Sequence, residues 1–130
     1  MKEVTKEWLE FAVKDIKAAE NLKTDGDLNF LSAFHCQQAI EKSFKAVIEE
    51  FELGFIKSHD LSNLSIIIKD HLNLNKQADK LAEINDYYIE SRYPGDLSWH
   101  KDNPLTINKL NVIVQFTKDI ITSVSNVLSK

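Results

Sequence analysis

Arg92 stands on the apolar stripe of a helical stretch that Pro94 ends, and shares that stripe with Leu81, Asn85 and Tyr88. A guanidinium at such a place can satisfy the last carbonyls of its own helix, where cations are favoured. It can also hold an anion: its planar fork of donors suits a phosphate, and burial strengthens the contact. Tyr88, one turn before it, is a candidate contact for the same ligand. His100 follows in a loop beside Trp99 and Lys101, with seven residues, Tyr93 to Trp99, between it and Arg92. If the loop folds back, the histidine moves a proton near neutral pH while the arginine stabilises a crowded phosphate, which is the chemistry of RNA cleavage. If His100 stays in solvent, Arg92 is a binding residue alone.

Asp15 falls inside the apolar stripe of the first predicted helix. A carboxylate there is costly to bury without a partner. Arg92 and Lys42 are the candidate partners, either in a structural salt bridge or beside a ligand. Asn85 and Gln37, also at inward phases, read as hydrogen-bonders between helices. His59 reads as a packing or capping residue before the third helix. Lys42 and Lys45 share their helix face with Glu41 and Glu49 and read as a solvated face. No run interleaves aromatic and basic residues in the manner of single-strand binders. His35, Cys36, His59, His71 and His100 show no metal-ligand spacing, and glycine-rich phosphate loops, nucleophile elbows and CxxC pairs are missing. No cofactor is expected.

These residues need elements to hold them. Apolar side chains recur at helical spacing throughout. The first helix is predicted over roughly 5 to 23, with Trp8, Ala12, Ala19 and Leu22 on one stripe and Phe11 and Ile16 flanking it; a turn at Gly26 ends it. The second covers roughly 28 to 52, with Ala33, Cys36, Ile40, Phe44, Val47 and Phe51 on one side and Ala39, Ser43 and Ala46 widening the arc. So wide an apolar arc predicts a central helix with neighbours on two sides. A short third helix starts near Asp60 as N-cap and buries Leu61, Leu64, Ile67 and Ile68. The fourth is predicted from about Lys76 to Ser91 or Arg92, with Ala78, Leu81, Ala82, Tyr88 and Ile89 inward. Asn103-Pro104 reads as N-cap and first turn of a fifth, running to about Leu128 and burying Leu110, Ile113, Phe116, Ile120, Val124 and Val127. No stretch alternates well enough for a strand. The expected fold is all-α, an antiparallel up-and-down bundle of four long helices plus one short one.

The 130 residues are expected to form a single domain, 1–130, large enough to fold without disulfides or metal. Three glycines and two prolines favour few, long elements. The one cysteine, Cys36, cannot form an internal disulfide, which with a charged N-terminus and no long apolar window leads to a cytoplasmic expectation without a membrane span. A net charge of -4 argues against a broad basic surface for nucleic acid but permits a local one. Helices two and five carry more apolar and small surface than a four-helix core uses, which points to a homodimer.

The run Ala33-Phe34-His35-Cys36-Gln37-Gln38-Ala39-Ile40-Glu41-Lys42-Ser43-Phe44-Lys45-Ala46 resembles the second-helix signature of small HEPN domains. Trp8, Ala12, Asp15 and Ala19, then Ser58-His59-Asp60-Leu61 with Leu64, then Tyr88 with Arg92-Tyr93-Pro94, are similar to the rest of that pattern in the same order. The resemblance implies an all-α bundle that commonly dimerises and a link to nucleotides or RNA. Many members are metal-independent ribonucleases whose motif is a helix-terminal arginine followed by a histidine. Small members often pair with a minimal nucleotidyltransferase as antitoxin. Arg92 matches the motif arginine; His100 matches the histidine across a longer loop. The leading expectation is a protein that binds a nucleotide or RNA phosphate near Arg92 with Asp15, Lys42 and Tyr88. The alternatives are an endoribonuclease using Arg92 and His100, and a non-catalytic dimeric scaffold.

Overall fold

The computed structural model describes residues 1–88 and 104–130. Among them are five α-helices and no strand: α1 (Glu3–Leu22), α2 (Asn29–Glu50), α3 (Leu61–Ile67), α4 (Ala78–Asn85) and α5 (Ile107–Leu128). The all-helical bundle follows from the uniform helical periodicity.

Small residues set the closeness of α1 and α2. Ala12, Ala19, Ala33 and Ala39 are fully buried, so the two backbones approach until the Ser32 hydroxyl donates to the Ala19 carbonyl at 2.7 Å. Their antiparallel sense is fixed at the far end. Glu50, closing α2, accepts from the Lys2 amide at 2.8 Å and from the Thr5 hydroxyl at 2.9 Å. At the near end the chain reverses through Thr24 and Asp25, whose carboxylate accepts from the Asp27 amide. The Asn29 side chain donates to the Leu105 carbonyl at 3.0 Å, joining the start of α2 to the start of α5. Hence α5 runs parallel to α2 and antiparallel to α1, the order of an up-and-down bundle in which α3 and α4 intervene.

α2 is the central helix, as its wide arc predicts. Phe44, Ile40 and Val47 are fully buried with Leu61, Leu64, Leu81, Ile84, Leu110, Ile113 and Val124. Hydroxyls on buried faces close locally, Ser43 on the Ile40 carbonyl and Thr117 on the Ile113 carbonyl, both at 2.8 Å. Asp60 caps α3 as expected, accepting from the Ser62 and Asn63 amides.

Several details differ from the sequence reading. Phe11 is 53% exposed rather than packed beside the α1 stripe, because α2 takes the adjoining face and leaves Phe11 outside the seam. Phe51 closes α2 exposed and stacks on His71 at 3.8 Å instead of entering the core. On α4 the inward residues are Leu81 and Ile84, with Tyr87 beyond them, while Ala78 and Ala82 are exposed. A one-turn 3-10 segment, Asn75–Gln77, starts that helix, and its described extent ends at Asn85, short of Ser91. The cap of α5 is Thr106, whose hydroxyl accepts from the Lys109 amide at 3.2 Å, not Asn103. Ile89, Ser91, Arg92, His100 and Asn103 lie outside the described residues.

Candidate functional site

Asp15 lies in the seam between α1 and α2, buried but for 8% of its surface. Two residues of α2, seven apart and therefore on one face, reach it. The Lys42 ammonium donates to Oδ2 at 2.6 Å, and His35 Nδ1 lies 2.9 Å from Oδ1. Lys42 is the partner the sequence suggested. His35 is one it missed, although its spacing from Lys42 was the signal. Lys42 Nζ also lies 5.8 Å from the centre of the Phe11 ring.

One turn around α2 is a second histidine–carboxylate pair. Glu41, 6% exposed, sits on the side read as solvated. Both its oxygens are near His59 Nδ1, at 3.1 and 3.0 Å. Gln37, fully buried, donates to the His59 carbonyl at 3.1 Å and to Glu41 at 3.4 Å. The chain before α3 is thus tied to α2 by side chains, since it has no ladder or helix of its own. Nδ1–H donating to the carboxylate leaves Nε2 as the outer nitrogen. Tyr88 covers the same imidazole, with centroids 4.8 Å apart and planes at 18°. Phe34 continues the row, 6.5 Å from Tyr88 and 5.4 Å from His35. Asn85 and Gln37 hydrogen-bond between elements as expected, Asn85 accepting from the Leu61 amide.

Asp15, Lys42 and Tyr88 therefore fall along one flank of α2, joined by Glu41 and the two histidines. The flank offers oriented imidazoles, an ammonium and flat rings, a set suited to an anionic aromatic ligand. Arg92 and His100, the residues expected to touch phosphate, lie outside the described residues. The Lys42 and Lys45 face is not simply solvated: the Lys45 ammonium donates to the Ile56 carbonyl at 2.8 Å. Nor is the chain without a basic–aromatic surface. Three elements assemble one around a cleft of about 420 Å³ lined by Trp8, Lys45, Phe55, Lys57 and His59. No sequence stripe revealed it because its members come from α1, α2 and the connection to α3.

Cys36 belongs to the packing. Burial pushes its thiol up to about 11, against a hydrogen bond with Thr117 that lowers it; a thiol so held is not a nucleophile near neutral pH. Among the described residues no group of three potential ligands could hold a metal ion, and no helix is long and apolar enough to cross a membrane.

Fold and flank together define an all-helical bundle whose polar side chains converge on its central helix. The model of the HEPN domain family matches residues 5–127. The chain belongs to that family, which gives it a nucleotide- or RNA-related role in general. No curated protein and no solved structure gives a significant match.

Proposed function

We propose that this chain binds a nucleotide or an RNA phosphate at Arg92, with Lys42 and Tyr88 as further contacts and Asp15 orienting Lys42. The observation that carries the reading is the α2 flank, where two carboxylate-held histidines, a lysine and aromatic rings converge. Arg92 stands four residues after Tyr88 in the sequence. An ammonium has three donors and a guanidinium five, so Lys42 retains donors beyond Asp15. The reading includes a cytoplasmic homodimer working with a minimal nucleotidyltransferase; both partners rest on the family.

The test is Arg92→Ala, followed by fluorescence polarisation with a labelled single-stranded RNA and by competition with a mononucleotide. Loss of one charge-assisted contact is worth about 1.5–3 kcal/mol, roughly a ten- to hundred-fold fall in affinity. Helical circular dichroism should not change. A variant that unfolds, yet binds as well per folded molecule, would make Arg92 a helix cap. His100→Ala should leave affinity intact. Cleavage of the RNA by the wild type, lost in His100→Ala, would replace this reading with the ribonuclease one. A protein that binds neither ligand is a scaffold.

A further inference from the structure

The geometry points to a second subsite: the cleft beside His59 takes a neighbouring nucleotide of a single-stranded RNA, so that the ligand is a strand rather than a free mononucleotide. This rests on the reading of Arg92 as the phosphate site and deepens it.

Three observations carry it. The first is Phe55, 87% exposed at the mouth of the cleft. An aromatic ring so far out gains nothing from burial, and its position is built. Gly54 has φ +120, a backbone conformation that side-chain-bearing residues rarely adopt. The Lys45 ammonium holds the Ile56 carbonyl at 2.8 Å, fastening the segment to α2 on the other side of Phe55. The second is composition. Trp8 and Phe55 offer π-faces, Lys45 and Lys57 offer ammoniums, and Glu49 offers an acceptor for a base N–H such as N3–H of uracil. Lys57 Nζ lies 5.8 Å from the centre of the Phe55 ring, so charge and stacking surface meet at one point. Two lysines against one glutamate leave a local positive balance in a chain of net charge -4. Stacking rings beside basic side chains are how proteins hold single strands without reading sequence. The third is continuity. His59 lines the cleft and is also the residue that Glu41 orients and Tyr88 covers. A strand whose phosphate lies on the Tyr88 side can pass His59 and lay its next base in the cleft, whose volume of about 420 Å³ is in the range of small-ligand sites.

The experiment compares a short fluorescein-labelled oligouridylate with uridine monophosphate on the full-length protein. Phe55→Ala and Lys57→Glu change exposed side chains and spare the core. Each is expected to weaken the oligouridylate roughly ten-fold, from the size of one stacking or phosphate contact, and to leave uridine monophosphate unchanged. In a Trp99→Phe background, the oligouridylate should also quench Trp8 fluorescence, and Phe55→Ala should remove most of the quench. Arg92→Ala should weaken both ligands. Unchanged oligouridylate affinity in both cleft variants overturns the inference. If those variants instead alter the sedimentation of the protein, the cleft is a protein-docking surface. Equal loss for the monophosphate also overturns it and makes the cleft a mononucleotide site. Arg92-dependent monophosphate binding without any gain for the strand overturns the subsite alone. Binding of neither ligand overturns the Arg92 reading with it.

Discussion

At the scale of single residues, carboxylates position the partly buried cationic and imidazole side chains along the α2 flank. Asp15 is the clearest case, since one carboxylate serves both Lys42 and His35. Asp15→Ala removes both contacts at once and leaves a partly buried ammonium without its anion. Because the Lys42 and His35 side chains keep 25% and 30% exposure, water relieves part of the loss. The expected cost is about 1–3 kcal/mol in urea unfolding. Asp15→Asn, which keeps shape and one acceptor, should cost less. A cost no larger than that of an ordinary surface substitution would show that the seam gains nothing from the pair. The sequence disclosed half of this: a carboxylate on an apolar stripe demands a partner, and Lys42 was a candidate. It did not disclose His35, nor the His59–Glu41 pair. His35 shares the helix face of Lys42 and was overlooked; the His59–Glu41 contact depends on the path of the chain before α3, which helical spacing does not carry.

At the scale of elements, long periodic segments were legible and ends were less so. α1, α2 and α5 fall within a few residues of their predicted limits, because many apolar positions specify each. The Asp60 cap was legible because a capping side chain acts within its own first turn. The start of α5 was misread because Asn103-Pro104 carried a start signal that Thr106 repeats three residues later, where the hydroxyl does meet an amide. Between α1 and α5 an ion pair adds to the apolar packing of Ala12 and Ile16 with Ile121. Glu20 pairs with Lys118, and also with Lys23 at 2.8 Å. The Lys118 hydrogen bond, then that of Lys23, holds its carboxyl below the usual 4.5. A carboxyl lowered by folding adds stability that is present above its unfolded value and lost as pH falls through the folded one. Glu20→Gln should therefore lower the unfolding midpoint at neutral pH, and the gap to wild type should close as pH drops below about 4.5. The tie is partly exposed to solvent, so added salt should shrink the gap as well. A gap that persists at low pH would mean that the residue acts through packing.

At the scale of the whole molecule, the expected surplus of apolar surface has to be redrawn. The arc of α2 is consumed within the chain: α1, α3, α4 and α5 all pack on it, and of its large apolar side chains only Leu31 and Phe51 stay exposed. Outside α2, Phe55 before α3 and Ile66 on it are exposed, and the flanking helices expose Val4, Phe11 and Val13 on α1 and Ile107 and Val112 on α5. Single exposed apolar residues are ordinary on a monomer; several on two packed helices are a surface suited to a second copy. HEPN domains commonly dimerise. The protein should therefore sediment at twice 14.9 kDa at micromolar concentration. Because only the folded chain presents these faces, its thermal midpoint should rise with protein concentration, as mass action requires when association favours the native state. Replacing Phe11 and Val112 together by serine should lower the sedimenting mass and flatten that concentration dependence, while the helical signal stays, since neither side chain is in the core. A sedimenting mass of 14.9 kDa with a midpoint independent of concentration would mean that the exposed apolar faces of α1 and α5 meet only water.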